Sequence, residues 1–191
     1  PAEICRPFDR DRMGMVYGEG AAFFVLESRN HAARRGANAI GRVVAAASRC
    51  EPSAFNCDYS GNSTTRAVRA VLHQADLEPN QIGHINAHGN STIEDDPAEA
   101  QAIQNTLGKV PVTAPKSFFG NLNQASGAVE LAVSLIAMEQ GVIPPTLNYE
   151  NPDPACPVNV VTEVQPTENR TFLALNHSPN GQAAALLIAE A

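Results

Sequence analysis

The sequence is short of positive charge. Thirteen Lys and Arg stand against twenty Asp and Glu in 191 residues, a formal net charge of −7 with a pI near 5.2. A nucleic-acid binder needs a dense cationic surface to release counterions from phosphate, and none is visible. Long apolar runs are missing too: none approaches the roughly 18–20 residues that span a bilayer, and no basic-then-apolar leader is read at the start. Cysteine is scarce. Cys5, Cys50, Cys57 and Cys156 show no C-x-x-C pairing and no neighbouring His pattern, which leaves a zinc cage without support. Cys50 and Cys57 are close enough in sequence to be bridged, but four cysteines in a chain this long make no disulfide scaffold, and a reduced, cytoplasmic setting is expected. Neither nucleic acid nor a membrane is expected as a partner. The chain opens at Pro1 without an initiator Met and is read as excised from a longer protein.

What is present is an ordinary globular mixture, with 43% hydrophobic and 17% charged residues, 13 Gly and 14 Pro. Strand and helix signals alternate. Ala21 to Leu26 is a short apolar and aromatic run that predicts a buried strand. Ser28 offers an N-cap to a helix that ends at Gly36 with cationic residues in its last turn. Ile40 to Ala47 reads as a second strand, and Glu51 to Asn62 as a surface loop. Ser63 or Thr64 is expected to cap the next helix, in which Ala67, Val68, Val71, Leu72 and Ala75 share one face. Ile82 to Ala87 is a strand running into His88-Gly89. Asp96-Pro97 starts a helix that Gly108 closes, and Val110 to Thr113 is another strand. Ala125 to Gln140 is apolar nearly all round, so a helix buried between layers is expected, stopped by Gly141. An irregular stretch follows to about Asn169. Phe172 to Leu175 and Ala184 to Ala189 then form a hairpin. The fold class is α/β, a layered sandwich with a mixed sheet.

Three polar segments sit where strands end, the usual place for a site in such sheets. They are Asn86 to Thr92, Ala114 to Asn121, and Asn176 to Gly181. In the first, a His followed by a Gly permits close backbone approach to a ligand, although a lone His is more often structural or on the surface. In the second, Lys116 is one of only two Lys beside eleven Arg, and a Lys next to a buried segment offers a compact, tunable ammonium. The third is a turn that either lines a pocket or merely joins a hairpin.

Together these segments resemble one family, the β-ketoacyl-acyl carrier protein synthases, in their C-terminal half. Arg6 to Ala21 is similar to R-P-F-D-x-x-R-x-G-x-V-x-G-E-G-A. Ile85 to Thr92 matches I-N-A-H-G-T-S-T with one change, with Asp96 and Glu99 at that motif's following spacing. Lys116-Ser117 through Gly127-Ala128-Val129-Glu130 corresponds to K-S-x-x-G-H and its G-A-V-E. Gly141 to Thr146 and Asn151 to Asp153 match G-x-x-P-P-T and N-P-D. The resemblance covers essentially the whole chain. It implies a thiolase-like fold, with residues 1–36 ending an N-terminal half and 37–191 forming the C-terminal domain.

It also implies chemistry. In such enzymes a Cys of the first half carries an acyl thioester, and the carbanion from decarboxylated malonyl-carrier protein attacks it. The implied catalytic residues are His88, Lys116 and Asn121, supported by Glu130 as a partner for Lys116 and by Asp96 and Glu99. Asn90, Asn180 and Gly181 would line the pocket. No nucleophile is present in this chain, and neither a metal nor a cofactor is required. The implied partners are an acyl carrier protein with phosphopantetheine-linked acyl and malonyl groups, the N-terminal half of the same protein, and a second subunit in a homo- or heterodimer. Carrier docking would use a local basic patch, for which Arg34, Arg35, Arg66 and Arg69 are candidates.

The departures from the family pattern weigh as much. The family's second His is Asn121 here, an amide that can donate but cannot exchange a proton near neutral pH. Asn90 replaces a Thr, and Asn180 stands near where the family's gating Phe would be. Two readings of the parent stay open: an active 3-oxoacyl synthase, or a non-condensing subunit of chain-length-factor or inactive type. Elsewhere, His31 and His73 read as solvated helix faces, and His84 as a surface position in a strand. His177, beside the third segment, is the one further His to watch. Glu94 to Asp96 read as charge complementing a helix N-terminus.

Overall fold

The computed structural model describes residues 4–51 and 59–191. A six-stranded mixed sheet forms its centre, in the order β1-β8-β7-β2-β3-β5. Its members are β1 (Arg42–Cys50), β2 (His84–Asn86), β3 (Pro111–Thr113), β5 (Asn159–Val160), β7 (Thr171–His177) and β8 (Gln182–Ala189). The pairs β1–β8 and β7–β8 are antiparallel, whereas β7–β2, β2–β3 and β3–β5 are parallel. A two-stranded ladder joins β4 (Val142–Ile143) to β6 (Gln165–Pro166). The helices are α1 (Arg29–Arg34), α2 (Asn62–Ala75), α3 (Asp95–Leu107), the short α4 (Lys116–Phe119) and α5 (Ser126–Gln140).

The two-residue period of the strands divides the core into two layers. Leu173 and Leu175 of β7, with Ala185 and Leu187 of β8, pack with Ala67, Val68 and Val71 of α2 and Ile103 of α3. Their alternate neighbours, Phe172 with Ala174 and Leu186 with Ile188, meet Leu131, Leu135 and Met138 of α5 on the opposite face. Helices therefore cover both faces of the sheet, as the layered α/β reading expected. The hairpin of the last two strands is present, with Leu173 opposite Leu187.

Several expectations need correction. Ala21 to Leu26 forms no strand, and it lies exposed, Phe23 at 94% and Leu26 at 83%. A strand needs a ladder partner, and no described residue supplies one to this run. The second strand begins at Arg42, past Gly41, because its register is set by pairing with β8. Gly61, not Ser63 or Thr64, is the N-cap of α2, with a left-handed φ of 80°, and both hydroxyl residues lie buried inside the helix. His84 is buried at 2% exposure, its ring stacked on Phe172 and its Nε2 3.4 Å from the Ser134 hydroxyl. Helix α5 is covered on one side only. Ser126, Glu130 and Ser134, spaced four apart, face inward, while Ile136 is 60% exposed. The remaining corrections are small: β5 and β6 interrupt the irregular stretch, and Cys57 lies outside the described residues.

Candidate active site

The sheet order explains how distant segments meet. β7, β2 and β3 are adjacent and parallel, so their C-terminal ends open on one edge. His88 follows β2, Lys116 begins α4 just after β3, and His177 ends β7. The three sequence segments are therefore three neighbouring loops.

The Lys116 ammonium, fully buried, lies 3.1 Å from His88 Nδ1 and donates to the His88 carbonyl oxygen at 2.6 Å. Its third direction meets Glu130 Oε1 at 2.5 Å, an ion pair with both side chains buried. An ammonium has donors only, so Nδ1 of His88 is an acceptor and the ring proton belongs on Nε2. Burial, then the charges of Lys116 and His177, hold the His88 imidazole well below its ordinary pKa. It is neutral near pH 7, a state suited to donating a hydrogen bond rather than a proton. Burial raises the Glu130 carboxyl, with the attraction of Lys116 opposing.

Two carboxylates of α3 build the first loop. Glu99 accepts the backbone N–H of His88 on one oxygen and of Gly89 on the other, each at 2.8 Å. Asp96 accepts the N–H groups of Asn90 and Thr92 at 3.0 and 3.3 Å, and of Phe8 at 2.8 Å. Both side chains are wholly buried, so Asp96 is a scaffold for the backbone as well as a first-turn charge. Burial pushes its carboxyl up to about 7 against the Phe8 N–H, which favours the anion. For Glu99, burial acts upward, but His177 and the Gly89 and His88 N–H groups outweigh it and lower the pKa. Gly89 has φ +46°, and an added Cβ would lie 2.6 Å from Ala114 Cβ, which fixes this position as glycine.

The opening motif proves to be a clamp on the same loops. Phe8 sits in the core with a left-handed φ of 64°, held by its N–H on Asp96. Asp9 accepts from the N–H groups of Glu150 and Asn151, each at 2.7 Å. Arg12 donates to the carbonyls of Thr92 and Asp9 and pairs with Asp153 at 2.5 Å. The R-P-F-D-x-x-R and N-P-D motifs thus form one contact, which a motif match alone does not reveal.

Asn121 is half-buried, with its amide engaged inside the protein. Its Nδ2 donates to Asn90 Oδ1 at 2.7 Å and lies 3.4 Å from Met15 Sδ. Its Oδ1 accepts from the Asn123 N–H and the Ser126 hydroxyl. Its backbone is bridged to Tyr17, the Asn121 N–H donating to the Val16 carbonyl. Asn90 is buried, as is Gly181, whereas Asn180 is exposed at the hairpin tip. His31 and His73 lie on exposed helix positions, as read.

The cysteines within the described residues are not set up as nucleophiles. Burial pushes the Cys5 thiol up to about 11 and the Cys156 thiol up to about 12, while Cys50 is exposed. Neither buried thiol has the lowered pKa of an activated nucleophile. The residues that sequence reasoning missed are Tyr59, stacked on His177, and Met15 beside the two Asn side chains.

This fold and this arrangement of loops place the chain in a known class. Residues 40–150 match the β-ketoacyl synthase C-terminal domain, and the chain belongs to that family. The fold is thiolase-like: the ishigamide ketosynthase/chain length factor superposes with a TM-score of 0.93 at 32% identity, over 98% of this chain and 47% of that one. The ketoacyl synthase alpha subunit of the tetracenomycin polyketide synthase of Streptomyces glaucescens is 42% identical over 98% of the chain and 46% of its own length. The 3-oxoacyl-[acyl-carrier-protein] synthase 2 of Mycobacterium bovis is 40% identical over 93% of the chain and 43% of its own length. The chain spans about half the length of these curated relatives. No helix among the described residues is long and apolar enough to cross a membrane.

Proposed function

We propose that the chain is the C-terminal part of a 3-oxoacyl-[acyl-carrier-protein] synthase performing decarboxylative condensation in fatty-acid or polyketide synthesis. The observation that carries this is the buried Lys116–His88 pair, with the imidazole held neutral and its proton on Nε2. In that role Nε2–H donates to the thioester oxygen of the malonyl group as it gains enolate charge. The C–C bond to the carboxylate breaks and CO2 leaves. The carbanion then attacks an acyl thioester on a Cys upstream of Pro1, whose thiolate departs. Glu130 fixes Lys116, and Asp96 and Glu99 fix the loop that carries His88. Residues 1–36 are assigned to the end of the N-terminal half and 37–191 to the C-terminal domain, supported by the family match beginning at residue 40. The partners proposed are that N-terminal half, an acyl carrier protein and a second subunit, in the cytoplasm.

A second reading is favoured by one observation. The Asn121 amide is committed to Asn90, Met15, Asn123 and Ser126, which leaves it little donor capacity for substrate. A non-condensing subunit that pairs with an active synthase would need none.

In the full-length protein, His88→Ala is expected to lower malonyl-carrier decarboxylation at least about 100-fold with circular dichroism unchanged. Undiminished decarboxylation in that variant would remove the catalytic assignment. A Cys in the family's nucleophile context upstream supports condensation, and Gln, Ala or Ser there supports the subunit reading.

A further inference from the structure

His177 is unusual among the buried polar residues. Its side chain is 2% exposed, yet among the described residues neither ring nitrogen has a hydrogen-bond partner. With both nitrogens unpaired, the ring is held by what packs on it and not by hydrogen bonds of its own. The ring lies flat on Tyr59, centroids 3.8 Å apart and planes within 4°. Its other neighbour is His88, with ring centroids 4.2 Å apart and the planes tilted by 55°. Tyr59 is itself held, its hydroxyl 2.5 Å from the Thr64 hydroxyl. Glu99 Oε2 lies 3.7 Å from His177 Nε2, a charge facing the ring without an aligned hydrogen bond.

His88 is held at Nδ1 by Lys116, but one hydrogen bond at one ring atom does not by itself fix the plane of an imidazole. A second ring packed against it, tilted by 55° with centroids 4.2 Å apart, restricts that freedom. We propose that His177 is a positioning residue for His88: stacked on Tyr59, it supplies the tilted ring contact that sets the His88 ring plane and so aims Nε2. The third loop thereby acts on the chemistry of the first without touching substrate. The inference rests on His88 being the donor assigned above.

The test uses full-length protein carrying His177→Ala or His177→Phe, since Phe keeps a flat ring and discards the nitrogens. With His177→Ala, kcat for malonyl-carrier decarboxylation is expected to fall on the order of 10- to 100-fold with KM little changed. His177→Phe should retain activity within about threefold of wild type, because the ring contact remains. Imidazole ¹⁵N spectra supply a readout independent of turnover. His88, assigned through His88→Gln, should show one fixed Nε2–H tautomer in wild type and His177→Phe, and exchange-averaged signals in His177→Ala. Unchanged His88 signals in His177→Ala overturn the proposal, and so does a Phe variant as impaired as Ala. If the wild-type protein does not decarboxylate at all, the functional reading fails while the spectra still decide the positioning.

Discussion

Asn90 and Asn121 are two departures from one family pattern, and in the folded chain they are a single feature. The amide of one donates to the amide of the other at 2.7 Å, so each explains the other's presence. Restoring His at position 121 alone would leave Asn90 Oδ1 without its donor. We therefore expect Asn121→His to raise condensation more in an Asn90→Thr background than in the wild type. Equal gains in both backgrounds would show the pair to be uncoupled. In unfolding experiments, a double-mutant cycle of Asn90→Ala and Asn121→Ala should give a coupling of about 1 kcal/mol. The sequence offered both substitutions but not their contact, because residues 31 apart carry no local signal of pairing. Lys116 was more legible: a rare Lys beside a buried helix proved to be a buried ammonium with three partners.

Elements were legible wherever local chemistry decides them. Helix α3 ends at Gly108, α5 ends at Gly141 with φ +70°, and the α2 face built by Ala67, Val68 and Val71 is buried as its spacing requires. Failures fell where tertiary contact overrides local preference. The run at 21–26 has strand composition but no ladder partner among the described residues, and α5 has apolar residues on the side that the described residues leave uncovered. The opening motif is the clearest case, since its meaning lies in contacts about 140 residues away (Arg12 to Asp153). Arg12→Met should destabilise the protein by about 3 kcal/mol, because Asp153 and two carbonyls lose a largely buried donor. Arg12→Lys should not rescue, since a single ammonium cannot reach all three acceptors. Urea midpoints measure both variants, and a fully stable Arg12→Lys would contradict the clamp.

At the scale of the molecule, pH acts through imidazoles that fold into dry surroundings. Burial lowers the His84 pKa from 6.5 to about 4. The unfolded chain therefore binds a proton between those values that the native state refuses. This contribution is complete above pH 6.5 and is lost as pH falls through about 4, at most about 3 kcal/mol. His84→Phe should flatten that acid limb of the stability profile, measured by urea unfolding from pH 7 to 4. An unaltered limb would place the acid sensitivity elsewhere, His88 being the next candidate. The same wide view explains the layered architecture. Two-residue alternation along β7 and β8 sends successive side chains to opposite cores, which the uniformly apolar strands did not announce in the sequence. The strand order β7-β2-β3, which brings the loops together, was not readable, because it depends on which distant strands pair.

That shared edge divides labour between frame and tips. Glu99, Asp96 and Arg12 grip backbone groups, so they support the loops whatever side chains the loops display. Positions 90, 121 and 180 in the loops, and 177 at the end of β7, are where side-chain chemistry can change while the sheet stays intact. A library aimed at retuning this protein belongs at those four positions, before anywhere in the strand interiors.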